Sequence, residues 1–360
     1  MADWMLYGAT GYTGQLVAEE AVKRGHRPLL AGRSEARLKP LAERLNLEYV
    51  AVSLDDANAL AKAVSRVRLV YHSAGPFVDT SDAMIRACLA SGAHYLDITG
   101  EIAVFQNAYR YHDAALEKGI AIIPGVGFDV IPSDCLLKYV ADGLPDATHL
   151  DVALDALGAA STGMNISAGT AKSILGFLPA LGNLVRRDGK ITSIPFGSGA
   201  RQFRFQGGER WAMPVPWGDL EVGYRTSGIP NITTYLTFPR PMIGVTRVLG
   251  GGLRALLKIS VVRNAAGKLV ERFFPGPSEA VREAGRSFIY AQVRNARGES
   301  RQAWLETLEG YQFTVLAAPL VVERILEGHV KGATTPALAL GADFPLEIAG
   351  TCRFDSLPQN

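Results

Sequence analysis

The chain has 360 residues, 48% of them hydrophobic, with 37 Lys and Arg against 35 Asp and Glu. That length favours two packed domains over one core, and a net charge of +2 lacks the clustered basic excess of a nucleic-acid binder. Cys88, Cys135 and Cys352 are too scattered for a zinc cluster or a disulfide framework.

The chain opens on Trp4 to Tyr7, an apolar run that reads as a strand ending at a glycine. Gly14 to Arg24 has helical spacing, with Leu16, Val17 and Val22 among its apolar positions, and Gly25 stops it. Pro28 to Ala31 is a second strand. Ser34 can cap the helix that follows, in which Pro40 should force a kink or a restart. Tyr49 to Val52, Arg68 to Tyr71, Ala93 to Ile98 and Ile120 to Ile123 read as further strands, with helices from Asp82 to Ala90 and from Ala103 to Leu116 between the last three. Alternation of this kind predicts a parallel, doubly wound α/β sheet.

Beyond about residue 145 the pattern changes. Gln202 to Phe205, Ile232 to Phe238 and Phe288 to Val293 are strand-like runs with no helix read between them. They predict an α+β domain with a mostly antiparallel sheet. Tyr311 to Leu326 reads as a helix, and Lys331 to Asn360 as an irregular tail.

The chemistry-bearing residues gather where strands end. Gly8, Thr10, Gly11, Tyr12, Thr13 and Gly14 form a glycine loop between a strand and a helix, the setting of a Rossmann dinucleotide fingerprint. Gly8 permits the turn, Gly11 the approach of a pyrophosphate, and Gly14 the packing of helix on strand. An NAD-binding chain would carry an acidic residue at the end of the second strand. Here Arg33 and Ser34 stand in that region, which suits the 2′-phosphate of NADP(H). Arg66 and Arg68 are cations able to stand in for Arg33.

Three later loops complete the candidate site. His72, Ser73, Ala74, Gly75 and Pro76 follow the fourth strand, with His72 either a proton donor or a structural histidine. Tyr95, Asp97 and Glu101 lie on the fifth strand and its loop. They either move a proton near the cofactor or hydrogen-bond loop amides and fix the site. Gly125, Gly127 and Phe128 form the last loop, beside Asp129. No metal ligand set is present among these groups.

Gly8 to Gly14, Ala31-Gly32-Arg33, Ser73 to Phe77, Tyr95 to Glu101 and Pro124 to Asp134 together resemble the saccharopine dehydrogenase-like oxidoreductases, in the branch of the trans-acting enoyl reductases. Gly169 to Lys172, Gly228 to Asn231, Gly276 to Ser278, Leu305 to Tyr311 and Thr335 to Ala337 extend the resemblance along the chain. It implies a Rossmann domain, NADP(H), and a second domain that closes over the nicotinamide. The domains expected are a dinucleotide-binding unit over 1–130, an α+β substrate or dimerisation unit over 131–310, and a C-terminal helix and tail over 311–360 able to dock back on the first.

No arginine pair maps onto an amino-acid carboxylate site. The expected activity is therefore NADPH-dependent reduction of a C=C or C=N bond in a hydrophobic substrate, lipid-linked or free. The alternatives are an amino-acid imine reductase or dehydrogenase, and a non-catalytic NADP-binding sensor or membrane-surface protein. Met242 to Val262 is apolar with Arg247, Arg254 and Lys258 on one side. It is a candidate for peripheral membrane contact, or else a core or dimer-contact helix. The N-terminus shows no secretory pattern and no run is long enough to span a bilayer, so the expected location is cytoplasmic. Self-association into a homo-oligomer is left open.

Overall fold

The computed structural model describes residues 2–155, 183–195, 197–244 and 276–357. Two compact units emerge, one of residues 1–131 with 311–341, the other of 132–310 with 342–360.

The first unit runs β1 (Trp4–Tyr7), α1 (Tyr12–Lys23), β2 (Leu29–Gly32), α2 (Glu35–Leu45), β3 (Tyr49–Ala51), α3 (Ala57–Val64), β4 (Leu69–His72), α4 (Phe77–Ser91), β5 (His94–Asp97), α5 (Ile102–Tyr109), α6 (His112–Lys118) and β6 (Ala121–Ile123). A seventh strand, Gly332–Ala333, is β15 in chain order. The sheet order is β15-β6-β5-β4-β1-β2-β3, every pair parallel. Every residue of β1, β2 and β4 is buried, because helices cover both faces of a parallel sheet. Met5, Leu29, Val70, Ile85 and Ile122 lie in the core between sheet and helices.

Several local expectations are corrected. Helix α2 continues through Pro40. Pro40 and Ala36 are both exposed, so the carbonyl freed by the missing N–H can turn to water. Ser34 occupies the N-cap, yet its side chain makes no capping bond. The helix expected over Ala103 to Leu116 is two, α5 and α6. The tail from Lys331 is not irregular. It carries β15, a helix Pro336–Leu340 capped by Thr335, and a last strand, Cys352–Phe354.

The helix Gly310–Glu327 is fixed to the first unit at its far end. Arg68 donates to the Leu326 carbonyl at 3.1 Å, and His26 meets Glu323 at 2.7 Å.

The second unit begins with α7 (Ile131–Asp142) and then β7 (Ala147–Asp155), β8 (Asn183–Arg187), β9 (Lys190–Ile194), β10 (Arg201–Phe205), β11 (Gly208–Pro214), β12 (Asn231–Thr237), β13 (Arg286–Asn295), β14 (Ser300–Leu308) and β16 (Cys352–Phe354). The order is β10-β11-β12-β7-β13-β14-β16, with the β8–β9 hairpin attached to β12. The β12–β7 pair is parallel and the others are antiparallel, so the sheet is mixed.

A helix, Asp219–Ser227, does intervene between strands. It packs so closely that a Cβ on Gly223 would lie 3.2 Å from Leu137 and 3.5 Å from Ile232 and Leu150. The opposite face carries Phe203, Phe205, Tyr235, Tyr290 and Trp304. The Trp304 indole donates to the Arg204 carbonyl at 2.8 Å, so the sheet curls until β14 meets β10. Residues 245–262 of the basic apolar segment, and the Gly169 to Lys172 motif, lie outside the described residues. Among the described residues no helix is long and apolar enough to cross a membrane.

Candidate dinucleotide site

The glycine loop is built by backbone constraints. Gly8 has φ +89°, and its N–H donates to the Ala31 carbonyl at 2.9 Å. A Cβ there would lie 2.8 Å from the Ala74 nitrogen; one on Gly14 would lie 2.2 Å from the Gly8 carbonyl oxygen. Gly11 is different. It is exposed, stands at the N-cap of α1, and a Cβ would come only to 3.3 Å of the Gly8 oxygen. Tyr12 and Thr13 open α1, and the N–H groups and positive dipole end of a helix N-terminus suit a pyrophosphate. The residues present thus fit a dinucleotide.

Thr10 accepts at its carbonyl from Gln15 at 3.0 Å and from Arg37 at 2.7 Å. Arg37 was not anticipated. It lies one helical turn beyond Arg33, and that i, i+4 spacing was its signal. Arg33 is exposed at the end of β2, with Ser34 half-buried beside it. Arg66 and Arg68 are committed elsewhere, to Glu48 at 2.6 Å and to the Leu326 carbonyl.

The Ser73 N–H and hydroxyl both donate to the Tyr7 carbonyl, at 2.8 and 3.0 Å. This seats the 73–76 loop, which includes a cis Gly75–Pro76 bond, against the glycine loop. His72 is buried among the rings of Tyr7, Phe77 and Tyr95, with centroids 5.4, 5.5 and 6.2 Å away. Its Nε2 lies 3.1 Å from the Thr80 hydroxyl, which donates in turn to the Ala74 and Pro76 carbonyls at 2.8 and 3.0 Å. The hydroxyl's single proton faces those carbonyls, so His72 donates from Nε2. Burial pushes the imidazole down to about 3, so it is neutral near pH 7. The geometry gives it a positioning role for the loop.

That assignment has a pH signature. An imidazole whose folded value lies below its unfolded value of about 6.5 stabilises fully above that pH and loses the contribution as pH falls towards 3. Between pH 6.5 and 5 the loss is about 2 kcal/mol. Urea unfolding at pH 7 and 5 should show a steeper fall for the wild type than for His72→Gln; equal slopes would refute the assignment.

Asp97 is fully buried. It accepts from the Tyr95 hydroxyl at 2.6 Å and from the Thr99 and Gly125 N–H groups at 2.9 Å each. Burial pushes its carboxyl up to about 6 while these donors pull it down. Glu101 accepts from the N–H groups of Phe77 and Val78 at 3.3 and 2.8 Å, at the N-terminus of α4, where a carboxylate is favoured. Tyr95, Asp97 and Glu101 therefore act on loop amides and on each other. Asp129 lies over Gly100, whose Cβ would come within 3.2 Å of its Oδ2. Burial and the Glu101 charge push Asp129 up to about 6.

Gly125 has φ +80°, and a Cβ would strike Phe105 at 2.9 Å; on Gly127 it would lie 3.1 Å from Ile98. The Phe128 N–H donates to the Thr314 hydroxyl at 3.0 Å, and its ring lies 6.1 Å from Phe313. Tyr311 meets Tyr12 edge-on at 5.1 Å. Tyr311, Phe313 and Thr314 thus join this end of the sheet, on the C-terminal helix expected to dock back on the first domain but not named as part of the site.

A parallel sheet in the order 3-2-1-4-5-6, with a glycine loop between its first strand and first helix, defines a Rossmann-type nucleotide-binding domain. Residues 4–123, a third of the chain, match the saccharopine dehydrogenase NADP binding domain, which supports a nicotinamide dinucleotide as the cofactor. A trans-acting enoyl reductase of Mycobacterium tuberculosis is 34% identical over 165 residues, 42% of this chain and 40% of the relative. A saccharopine dehydrogenase-like oxidoreductase of Arabidopsis thaliana is 31% identical over 156 residues, 39% of this chain and 34% of the relative. The matches thus span two fifths or less of those relatives' lengths. Apo saccharopine dehydrogenase (L-Glu forming) from Saccharomyces cerevisiae shares the fold, with a TM-score of 0.61 at 12% identity over 96% of both chains.

Proposed function

We propose that the protein is an NADP(H)-dependent oxidoreductase that reduces a C=C or C=N bond of an apolar substrate. The observation that carries this reading is the glycine cradle with Arg33 just past the end of β2. When bound, NADPH supplies the hydride, which is why no side-chain nucleophile is required. Gly11 and the start of α1 hold the pyrophosphate. Arg33 and Ser34 recognise the 2′-phosphate, and Arg37 steadies the glycine loop through the Thr10 carbonyl. The 73–76 and 125–128 loops line the nicotinamide side. Asp97 and Glu101 keep those loops in place through the bonds described above, and His72 does so through Thr80.

The relatives named as enoyl reductases favour a C=C substrate with an apolar body. The test is NADPH consumption, followed by fluorescence, with a series of 2-enoyl thioesters and, in parallel, 2-oxo acids with an amine. Faster consumption with the enoyl series is expected. Consumption only with the oxo-acid series would transfer the reading to an imine reductase. Tight NADPH binding with no consumption in either series would leave a sensor.

A further inference from the structure

The curled sheet of the second unit borders an open cavity of about 420 Å³ lined by Arg201, Phe203, Tyr290, Gln292, Gln302 and Trp304 among others. This lies within the 300–1,000 Å³ typical of small-molecule sites. Register places Tyr290 opposite Trp304 and Gln292 opposite Gln302 on β13 and β14. Phe203 reaches in from β10, its ring 5.5 Å from Tyr290, which lies 5.3 Å from Trp304. Three aromatic rings thus form one flat wall of an otherwise polar lining.

The charged groups in the lining, Arg201 and Arg204, are donors. The Tyr290 hydroxyl donates to Gln302 Oε1 at 2.9 Å, and the Gln302 NH₂ adds two donors beside the one lone pair left on its oxygen. Asp151 is shared by Arg201 at 2.8 Å and Arg294 at 3.0 Å. Two guanidiniums on one carboxylate leave a net positive charge. The Arg201 Nε is buried with no hydrogen-bond partner among the described residues. Such a donor is costly unless something accepts from it. The Arg201 guanidinium also lies 4.4 Å over the Phe203 ring, which joins the charged and aromatic halves of the cavity.

We propose that this cavity binds a small organic carboxylate with a flat apolar body. The carboxylate meets Arg201 and the glutamine amides, and the body lies along Phe203, Tyr290 and Trp304. A bidentate acceptor matches the guanidinium fork, and one ligand charge balances the excess left by Asp151.

Calorimetric titration of the full chain with trans-cinnamate, and with cinnamamide as its uncharged counterpart, tests this. Saturable binding of cinnamate is expected, with cinnamamide at least about tenfold weaker. Arg201→Gln should weaken cinnamate about tenfold or more. Because Arg201 also pairs with Asp151, Gln292→Leu serves as a second variant. It alters a half-exposed side chain, and its fold is checked by thermal unfolding. It too should weaken binding. No heat from cinnamate, equal binding of the amide, or unchanged affinity in folded Gln292→Leu would overturn the proposal. NADPH is left out, so failure here leaves the oxidoreductase reading untouched.

Discussion

Gly14→Ala is expected to lower dinucleotide affinity at least about a hundredfold and to destabilise the protein as well, whereas Gly11→Ala should lower affinity and spare stability. The difference follows from what each Cβ would meet. At Gly14 it would stand 2.2 Å from the Gly8 oxygen and 2.9 Å from the Ala9 Cα. Both are backbone atoms, so no side-chain rotation relieves the overlap. Either α1 moves off the sheet or the loop opens, and overpacking of this kind costs about 1–3 kcal/mol or more. An opened loop no longer presents the N-terminus of α1, so binding falls with stability. At Gly11 the nearest atom is 3.3 Å away and the residue is exposed. The methyl group needs the Gly8 oxygen to give only slightly, far less than at Gly14, and it occupies the space a pyrophosphate would enter. Thermal unfolding without ligand and fluorescence titration with NADPH separate the two effects. A Gly14→Ala protein that melts and binds like the wild type would show that helix and loop are not packed as described.

The first unit was legible because its signals are local. A short apolar run followed by three glycines specifies strand, turn and helix without reference to the rest of the chain, and the later strands each end at small or polar residues. What the sequence hid depends on distant partners. β15 is two residues long and has no periodicity to read. It exists because Gly332 and Ala333 pair with Ala121 and Ile122, some 200 residues away in the chain. The parallel β12–β7 pair is hidden for the same reason, since alternation along a strand does not say in which direction its neighbour runs. Helix α3 went unread although Asp56 caps it by accepting from the Ala59 N–H at 2.9 Å.

The carboxylates of the site show a different limit. Asp97 and Glu101 stand in the loops where a proton donor was sought, and sequence position cannot distinguish a side chain aimed at a ligand from one aimed at backbone amides. Once Asp97 is seen to hold Tyr95, Thr99 and Gly125 together, its cost of burial has a structural return: three donors from two loops and a strand share one acceptor. The same applies to His72, whose bond to Thr80 has no counterpart in any local pattern.

In the proposed reading Arg33 sets the cofactor preference, while Arg37 holds the glycine loop. Arg33→Ala should weaken NADPH binding about ten- to a hundredfold and leave NADH nearly unchanged, because a charge-assisted bond to the 2′-phosphate is worth about 1.5–3 kcal/mol. The lower end is favoured, since Arg33 is exposed and salt screens such contacts. Arg66 and Arg68 cannot restore the loss while they are held by Glu48 and the Leu326 carbonyl. Arg37 donates to Thr10 within the glycine loop, so Arg37→Ala should weaken NADH as well as NADPH. The double variant should therefore bind both cofactors weakly and with similar affinity. Titrating each protein with both cofactors at low and high salt gives the full pattern, and the NADPH preference of the wild type should shrink as salt rises. Equal wild-type affinity for NADH and NADPH at low salt would show that Arg33 contributes nothing to the choice.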